Sequence, residues 1–213
     1  PARLKFLKTE RAEAQAAADV VRRLAMATPH VRFVFQGEGV TSFDHLAADG
    51  DAGQQLKRRL AQVMGRDFDA NSLPVEAERE GVRLTGRAGL PTFHRANAQA
   101  QFVFVNGRPV RDKLLAGAIR GAYADFLPGD RHPALALFVE LDPREVDVNV
   151  HPAKAEVRFR DPGLIRGLIV GGLKETLAGG GHRATTTGGD RLASLLSRPP
   201  PNPARNWDWR ASP

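Results

Sequence analysis

A stretch near the end of the chain, VDVNVHPAKAEVRF at positions 146–159, has alternating apolar and polar residues whose alternation changes phase halfway along. Apolar residues occupy even positions before Pro152 and odd positions after it. A single strand keeps a period of two, so this pattern predicts a turn between His151 and Lys154. Pro152 suits such a turn because its ring fixes φ and pushes the preceding residue into an extended conformation.

Helical periodicity predicts four helices, each marked by a capping or terminating residue. The first begins after Thr9, ends before Pro29 and carries an apolar stripe formed by Ala17, Val20, Val21 and Leu24. The second ends at Gly65, the third begins after Asp112, and the fourth begins at Asp161-Pro162.

Alternating or continuously apolar segments between these helices predict the strands. They lie at positions 31–35 and 40–43 as one hairpin, at 75–89 as a second hairpin, at 101–105 and at 134–141. The segment 134–141 is apolar enough for a strand buried on both faces, and Asn106-Gly107 is a strong turn signal. The pattern as a whole predicts a compact α/β domain over residues 1–178.

Composition narrows the class of protein. The chain has 213 residues, 42% of them hydrophobic and 26% charged, which suits a globular domain with a sizeable core. The absence of Cys excludes disulfides, and the six His show no ligand-like spacing, so no metal site is expected. The chain begins with Pro1 and has no signal peptide or apolar run of membrane-spanning length. We therefore expect a piece of a soluble intracellular protein.

The last part of the chain, 179–213, is rich in Gly, Thr, Pro and Arg without periodicity, which is typical of a linker or disordered segment. It holds five Lys or Arg against two Asp or Glu, and so contributes much of the net charge of +7. The high isoelectric point is therefore weak evidence for a nucleic-acid partner, and a local cluster of basic residues would be better evidence.

Two basic clusters are candidates. Arg108, Arg111 and Lys113, in the segment FVNGRPVRDKLL, follow the Asn-Gly turn and bracket a helix start, where they could project together toward phosphates. The alternative is that they are solvated charges beside a capped helix. The run Lys57-Arg58-Arg59 is predicted to lie on the polar, solvated side of its helix.

Lys154 lies just after the predicted turn, where its ammonium could reach an anion outside the sheet. It could equally be the first polar residue of a half-exposed strand, and His151 a turn residue. Asn149 is expected to hydrogen-bond the backbone at the bend. The sequence has no phosphate-binding loop, nucleophile elbow or zinc-protease motif, so this chain by itself is not expected to be an enzyme.

Three segments carry a family resemblance. In this order and spacing, PARLKFLKTE (1–10), FVNGRPVRDKLL (104–115) and VDVNVHPAKAEVRF (146–159) closely resemble the MutL family of DNA mismatch repair proteins. The similarity spans residues 1 to about 178 and corresponds to the transducer domain, the second half of the family's N-terminal ATPase region. Residues 30–100 contribute little to it beyond their pattern.

The resemblance implies a mixed sheet with helices covering one face, as in the transducers of type II topoisomerases and a small-subunit ribosomal protein domain. It implies that Lys154 contacts the γ-phosphate of ATP in an adjacent GHKL domain, with Asn149 and His151 as positioning residues. ATP and Mg²⁺ would be bound mainly by that upstream domain. The full-length protein would be an ATPase, whereas this part should not hydrolyse ATP.

The resemblance further implies DNA binding at Arg108, Arg111 and Lys113, along a groove that forms when two N-terminal regions dimerise on ATP. The implied partners are DNA, a MutS-like mismatch recognition protein and a second copy of the full-length chain, in the cytoplasm at the nucleoid, with no membrane. Two alternatives stay open. One is the transducer of a type II topoisomerase subunit, and the other is an ATP-independent nucleic-acid-binding module.

Overall fold

The computed structural model describes residues 9–37, 39–150 and 156–180, together with the backbone of 181–196. Contacts divide the chain into two units, Pro1–Ala178 and Gly179–Pro213. The side chains of the second unit after Gly180 lie outside the described residues, so the linker assigned to 179–213 stays a prediction. Within the part of the chain that is described, no helix combines the length and the apolar character needed to cross a bilayer.

The first unit opens with two helices that flank a small hairpin. In chain order the elements are α1 (Glu10–Ala27), β1 (Phe33–Phe35), β2 (Phe43–His45), α2 (Ala52–Met64) and the short α3 (Arg66–Ala70). Thr9 caps α1 as predicted, because its hydroxyl accepts the Ala12 N–H at 3.3 Å. Gly65 ends α2 with a φ of +93°, a conformation that favours glycine.

The remaining strands and two further helices follow, and the last helix begins in the first unit and extends beyond Ala178. They are β3 (Ser72–Arg79), β4 (Val82–Gly89), β5 (His94–Arg95), β6 (Gln101–Val105), β7 (Arg108–Val110), α4 (Lys113–Tyr123), β8 (His132–Pro133), β9 (Leu135–Glu140), β10 (Val146–Asp147), β11 (Arg158–Phe159) and α5 (Pro162–Leu196). The predicted hairpin at 75–89 is therefore confirmed as β3 and β4. The helix predicted after Asp161 is α5, which continues past its apolar stripe.

Five of these strands form one mixed sheet in the order β3-β4-β9-β6-β7. β9 runs parallel to β6 and antiparallel to β4, so the predicted mixed α/β class is confirmed. β4 and β9 approach closely at Gly86, where φ is +143° and a side chain would collide with the carbonyl oxygen of Ala136. Glycine is therefore required at position 86, where these two paired strands come closest.

Both faces of the sheet are covered, which corrects the expectation of helices on one face. On the first face, α4 and α5 pack against Leu135, Leu137 and Val139 of β9, which are all buried. On the second face, a smaller cluster joins the first helices to the sheet. Its buried members are Met26, Leu60, Phe68, Phe104, Ala134 and Ala136. The central strand β9 is therefore buried on both sides along most of its length, as its apolar run predicts.

The predicted apolar stripe of α1 is not its buried face. Val20 is 56% exposed and Leu24 is 46% exposed, whereas Ala18 and Ala25 are fully buried. Small side chains let the helix lie close to its neighbours, so the buried face is marked by alanines rather than by the larger apolar residues.

Arg59 also departs from its prediction. Its side chain is completely buried, although the run that contains it is predicted to be solvated. Its Nη2 donates to three carbonyl oxygens, those of Pro29 at 2.9 Å, Val31 at 2.6 Å and Leu46 at 3.1 Å. Arg59 therefore joins α2 to both ends of the β1–β2 hairpin.

The phase change in the stretch 146–159 is explained by an antiparallel hairpin. Val146 pairs with Phe159, and Asp147 pairs with Arg158. Paired residues of antiparallel strands share a face, so an even position on β10 faces the same way as an odd position on β11. Beside this pairing the Arg160 backbone N–H donates to the Glu145 carbonyl at 2.8 Å, and the Arg160 guanidinium contacts the Glu145 carboxylate at 3.0 Å, so the two residues join the base of the hairpin.

Candidate nucleic-acid interface

The segment that carries the predicted basic residues begins with a tight turn. Asn106 and Gly107 have φ values of +47° and +75°, and Val105 pairs directly with Arg108 across them. Positive φ at both central residues is the requirement of the two-residue turn that suits a hairpin's twist. The predicted Asn-Gly turn is confirmed, and it places an exposed Arg108 at the start of β7.

Asp112 then starts α4. Its Oδ1 accepts the backbone N–H of Leu114 at 2.8 Å and of Leu115 at 3.2 Å, as expected of a helix cap. Arg111 and Lys113 stand on either side of this cap, and both are exposed. The cap uses one oxygen of the Asp112 carboxylate, and both basic side chains remain exposed beside the first turn of the helix.

The structure brings Arg111 and Lys113 to one concave surface and adds a third cation. They line a cleft of about 410 Å³ together with Arg23 from the last turns of α1. We call this the α4 cleft. Its floor is apolar and consists of side chains from β6, β7 and α4, namely Val103, Val110, Leu115 and Ile119. Arg108 is not among the residues that line it.

Arg23 was not predicted from the sequence. Its guanidinium lies 4.9 Å from the centre of the Phe102 ring, which orients it across the surface of β6. Burial and then the neighbouring Arg111 charge lower the pKa of Arg23, while Asp19 acts in the opposite direction. A guanidinium remains charged at neutral pH, so an anion in the cleft would relieve the repulsion between Arg23 and Arg111.

The chemistry of the α4 cleft suits phosphate groups. Two guanidinium groups offer planar, paired donors that match phosphate oxygens, and Lys113 adds a compact charge. Among the described residues that line the cleft, Asp112 is the single carboxylate, and its oxygen already caps the helix. The floor of the cleft is apolar, so polar contacts to a bound anion would come mainly from the basic residues at its rim.

The residues assigned to nucleotide contact are described in part. His151 and Lys154 lie outside the described residues. Asn149 is described and exposed, and its backbone N–H donates to the Asp147 carboxylate at 2.8 Å. The bond predicted between Asn149 and the backbone at the bend stays a prediction, because the bend lies outside the described residues.

Comparison with known proteins places the chain in a family. A family model described as "DNA mismatch repair protein, C-terminal domain" matches residues 60–178. The DNA mismatch repair protein MutL of Methylocella silvestris is 63% identical over 219 residues, which cover 100% of this chain and 36% of that relative. The MutL of Beijerinckia indica is 56% identical over 243 residues, covering 100% of this chain and 38% of that relative.

A solved structure supports the fold. The crystal structure of the N-terminal domain of a DNA repair protein superimposes with a TM-score of 0.63 at 20% identity, over 82% of this chain and 56% of that one. The chain spans a little over a third of the length of the two MutL relatives. The matched family model covers more than half of the sequence and includes the α4 cleft except for Arg23. The chain belongs to the MutL family of DNA mismatch repair proteins.

Proposed function

We propose that this chain is a transducer module of a DNA mismatch repair protein and that the α4 cleft contacts the DNA backbone. The observation that carries this proposal is the convergence of Arg23, Arg111 and Lys113 on one cleft in a member of this family. Arg108 contributes a further positive charge at the neighbouring turn. DNA is a polyanion whose phosphates attract such clusters regardless of base sequence.

We also propose that the β10–β11 hairpin senses a nucleotide bound in an adjacent ATP-binding domain. Lys154 would contact the γ-phosphate, and Asn149 and His151 would position it. The described part of the hairpin fits a supporting role rather than a complete nucleotide site, because it offers an exposed Asn149 on a base fixed by Arg160 and Glu145. ATP and Mg²⁺ would accordingly be held mainly by the other domain.

The remaining parts of the proposal concern the whole protein. It would dimerise when ATP is bound, act with a MutS-like mismatch recognition protein and work in the cytoplasm at the nucleoid. ATP hydrolysis would belong to the longer protein, with this chain relaying the state of the nucleotide to the DNA-contacting surface.

The test of the DNA contact is the salt dependence of binding to a duplex of about 30 base pairs. The variant Arg23→Gln with Arg111→Gln should bind more weakly, and the slope of log K against log salt should be smaller by about 1 to 2, since each lost phosphate contact removes about 0.9. The control is Arg66→Gln with Arg166→Gln, which removes two exposed arginines outside the cleft. Equal slopes for both pairs would refute the assignment.

A further inference from the structure

A second cleft continues from the α4 cleft along the same helix. It measures about 490 Å³ and lies between the outer face of α4 and the chain from Leu127 to Pro133. Ala98, Gln101 and Ala116 line both clefts, so the two are adjacent. We call the two together the α4 groove.

The second cleft carries its own cations. Arg120 and Arg131 line it. His132 and Pro133, which follow Arg131 in the chain, line it as well. Arg120 Nη2 donates to the Gly129 carbonyl at 3.5 Å, a long contact, and the Arg131 side chain lies 3.5 Å from the exposed Asp130 carboxylate. A guanidinium has five N–H donors, so these long contacts leave most of the hydrogen-bonding capacity of both groups for a ligand.

The spacing of these charges follows the helix. Lys113, Ala116, Gly117 and Arg120 recur at intervals of three or four residues, which places them on one face of α4. Seven residues at 1.5 Å each separate Lys113 from Arg120 by about 10 Å along the axis. Ala116 and Gly117 between them are small, so an extended ligand can approach the helix closely.

We propose that the α4 groove holds one continuous stretch of DNA backbone, with Arg120 and Arg131 forming a second phosphate subsite beyond the α4 cleft. This inference rests on the proposed function of the α4 cleft. A separation of about 10 Å is short enough for two nearby phosphates of a single strand to occupy both ends of the groove, since successive phosphates of one strand advance by only about 3.4 Å along the DNA axis.

An acidic peptide is the other class of ligand that such a groove could attract. The charges favour DNA because the basic side chains extend over both clefts and Asp112 is the single carboxylate among the described lining residues. A repeating polyanion satisfies such an extended row, whereas a peptide presents carboxylates at irregular spacing. The subsite is also adjacent to the cleft already proposed to contact DNA.

The test compares three double variants of the full chain in salt titrations with the same duplex of about 30 base pairs. Arg120→Gln with Arg131→Gln should lower the slope of log K against log salt by about 1 to 2 relative to the unsubstituted chain. Arg66→Gln with Arg166→Gln is the control, because it removes the same charge from exposed positions that do not line the groove. Thermal unfolding of each variant verifies that the fold is intact.

The outcomes separate this inference from the proposed function. If the Arg120 and Arg131 pair behaves like the control while the Arg23 and Arg111 pair weakens binding, the second subsite is overturned and the α4 cleft retains its role. If neither pair differs from the control, both assignments fail. A labelled Glu-rich peptide provides the last arm. Loss of peptide binding in the Arg120 and Arg131 variant, with DNA binding intact, would overturn the DNA assignment of this subsite.

Discussion

Asn106 and the backbone of Leu141 exchange two hydrogen bonds. The Asn106 Nδ2 donates to the Leu141 carbonyl at 3.0 Å, and the Leu141 N–H donates to the Asn106 Oδ1 at 3.0 Å. The Asn106 backbone N–H also donates to the Val139 carbonyl at 2.9 Å. The turn that precedes the basic segment is therefore fastened to the end of β9, from which the chain continues into the β10–β11 hairpin. One side chain thus links the surface proposed for DNA with the hairpin proposed for nucleotide.

Replacing Asn106 should weaken this link measurably. Asn106→Ala removes both side-chain bonds and places at positive φ a residue that tolerates this conformation less well than Asn, so we expect a loss of about 2 to 4 kcal/mol in the free energy of unfolding by urea. Asn106→Gly keeps the turn conformation and removes the side-chain bonds alone, so its loss should be smaller by about 1 to 2 kcal/mol. A glycine variant as stable as the parent would show that the Leu141 bonds contribute nothing.

Arg59 provides a second stability prediction. Arg59→Met should lower the free energy of unfolding by about 2 to 3 kcal/mol, because three backbone carbonyls lose a charged donor. Lys57→Met on the exposed side of the same helix is the matched control and should change stability by less than about 0.5 kcal/mol. Urea unfolding of both variants decides the point, and similar values would show that the buried guanidinium is dispensable.

His45 predicts a pH dependence. Burial, followed by the charges of Arg59 and Arg22, lowers the pKa of His45, while Asp44 opposes the shift. The unfolded chain takes up a proton near pH 6.5, and the folded chain does so at lower pH, so the unfolded state binds more protons between these values. Stability should therefore fall as the pH drops below about 6.5.

The check is His45→Phe, measured by urea unfolding from pH 8 to pH 5. At pH 8 the imidazole is neutral in both states, so the difference between variant and parent reports the packing against Phe43, whose ring centroid lies 4.5 Å away. Below pH 6.5 the parent should lose more stability than the variant. Parallel curves over the whole range would show that His45 does not contribute.

The proposed nucleotide sensing depends on Lys154. In a longer protein that includes the family's ATP-binding region, Lys154→Ala should lower ATP turnover by about tenfold or more, because a charge-assisted phosphate contact contributes about 1.5 to 3 kcal/mol. Lys154→Arg keeps the charge and should retain more activity than the alanine variant. Turnover equal to that of the parent in Lys154→Ala would exclude a γ-phosphate contact.

Features that depend on neighbouring residues were predictable from the sequence. The Asn106-Gly107 turn and the Asp112 cap are both confirmed, since each is fixed by groups within three residues along the chain. The phase change around Pro152 correctly indicated that the chain reverses, and the β10–β11 pairing shows that it does so as a hairpin. The role of Lys154 itself stays a prediction.

Features that depend on distant contacts were not predictable. Arg23 joins the α4 cleft because α1 packs beside β7 and the Arg23 guanidinium lies over the Phe102 ring, and no local pattern signals this contact. Arg59 lies in a basic run typical of a solvated face. Its side chain is nevertheless buried, because it donates hydrogen bonds to three backbone carbonyls on either side of the β1–β2 hairpin. Val20 and Leu24 mark an apolar stripe that the structure leaves exposed.

The two faces of α4 have a kinetic consequence. Leu115 and Ile119 anchor the inner face in the core, while Lys113 and Arg120 project from the outer face. A surface on a helix that is packed into the core already has its binding conformation before the ligand arrives. Little conformational entropy of the protein is therefore lost on association. The association rate would then be governed by long-range electrostatic attraction and should decline steeply as the salt concentration rises. The lifetime of the complex would instead reflect the contacts formed in the bound state.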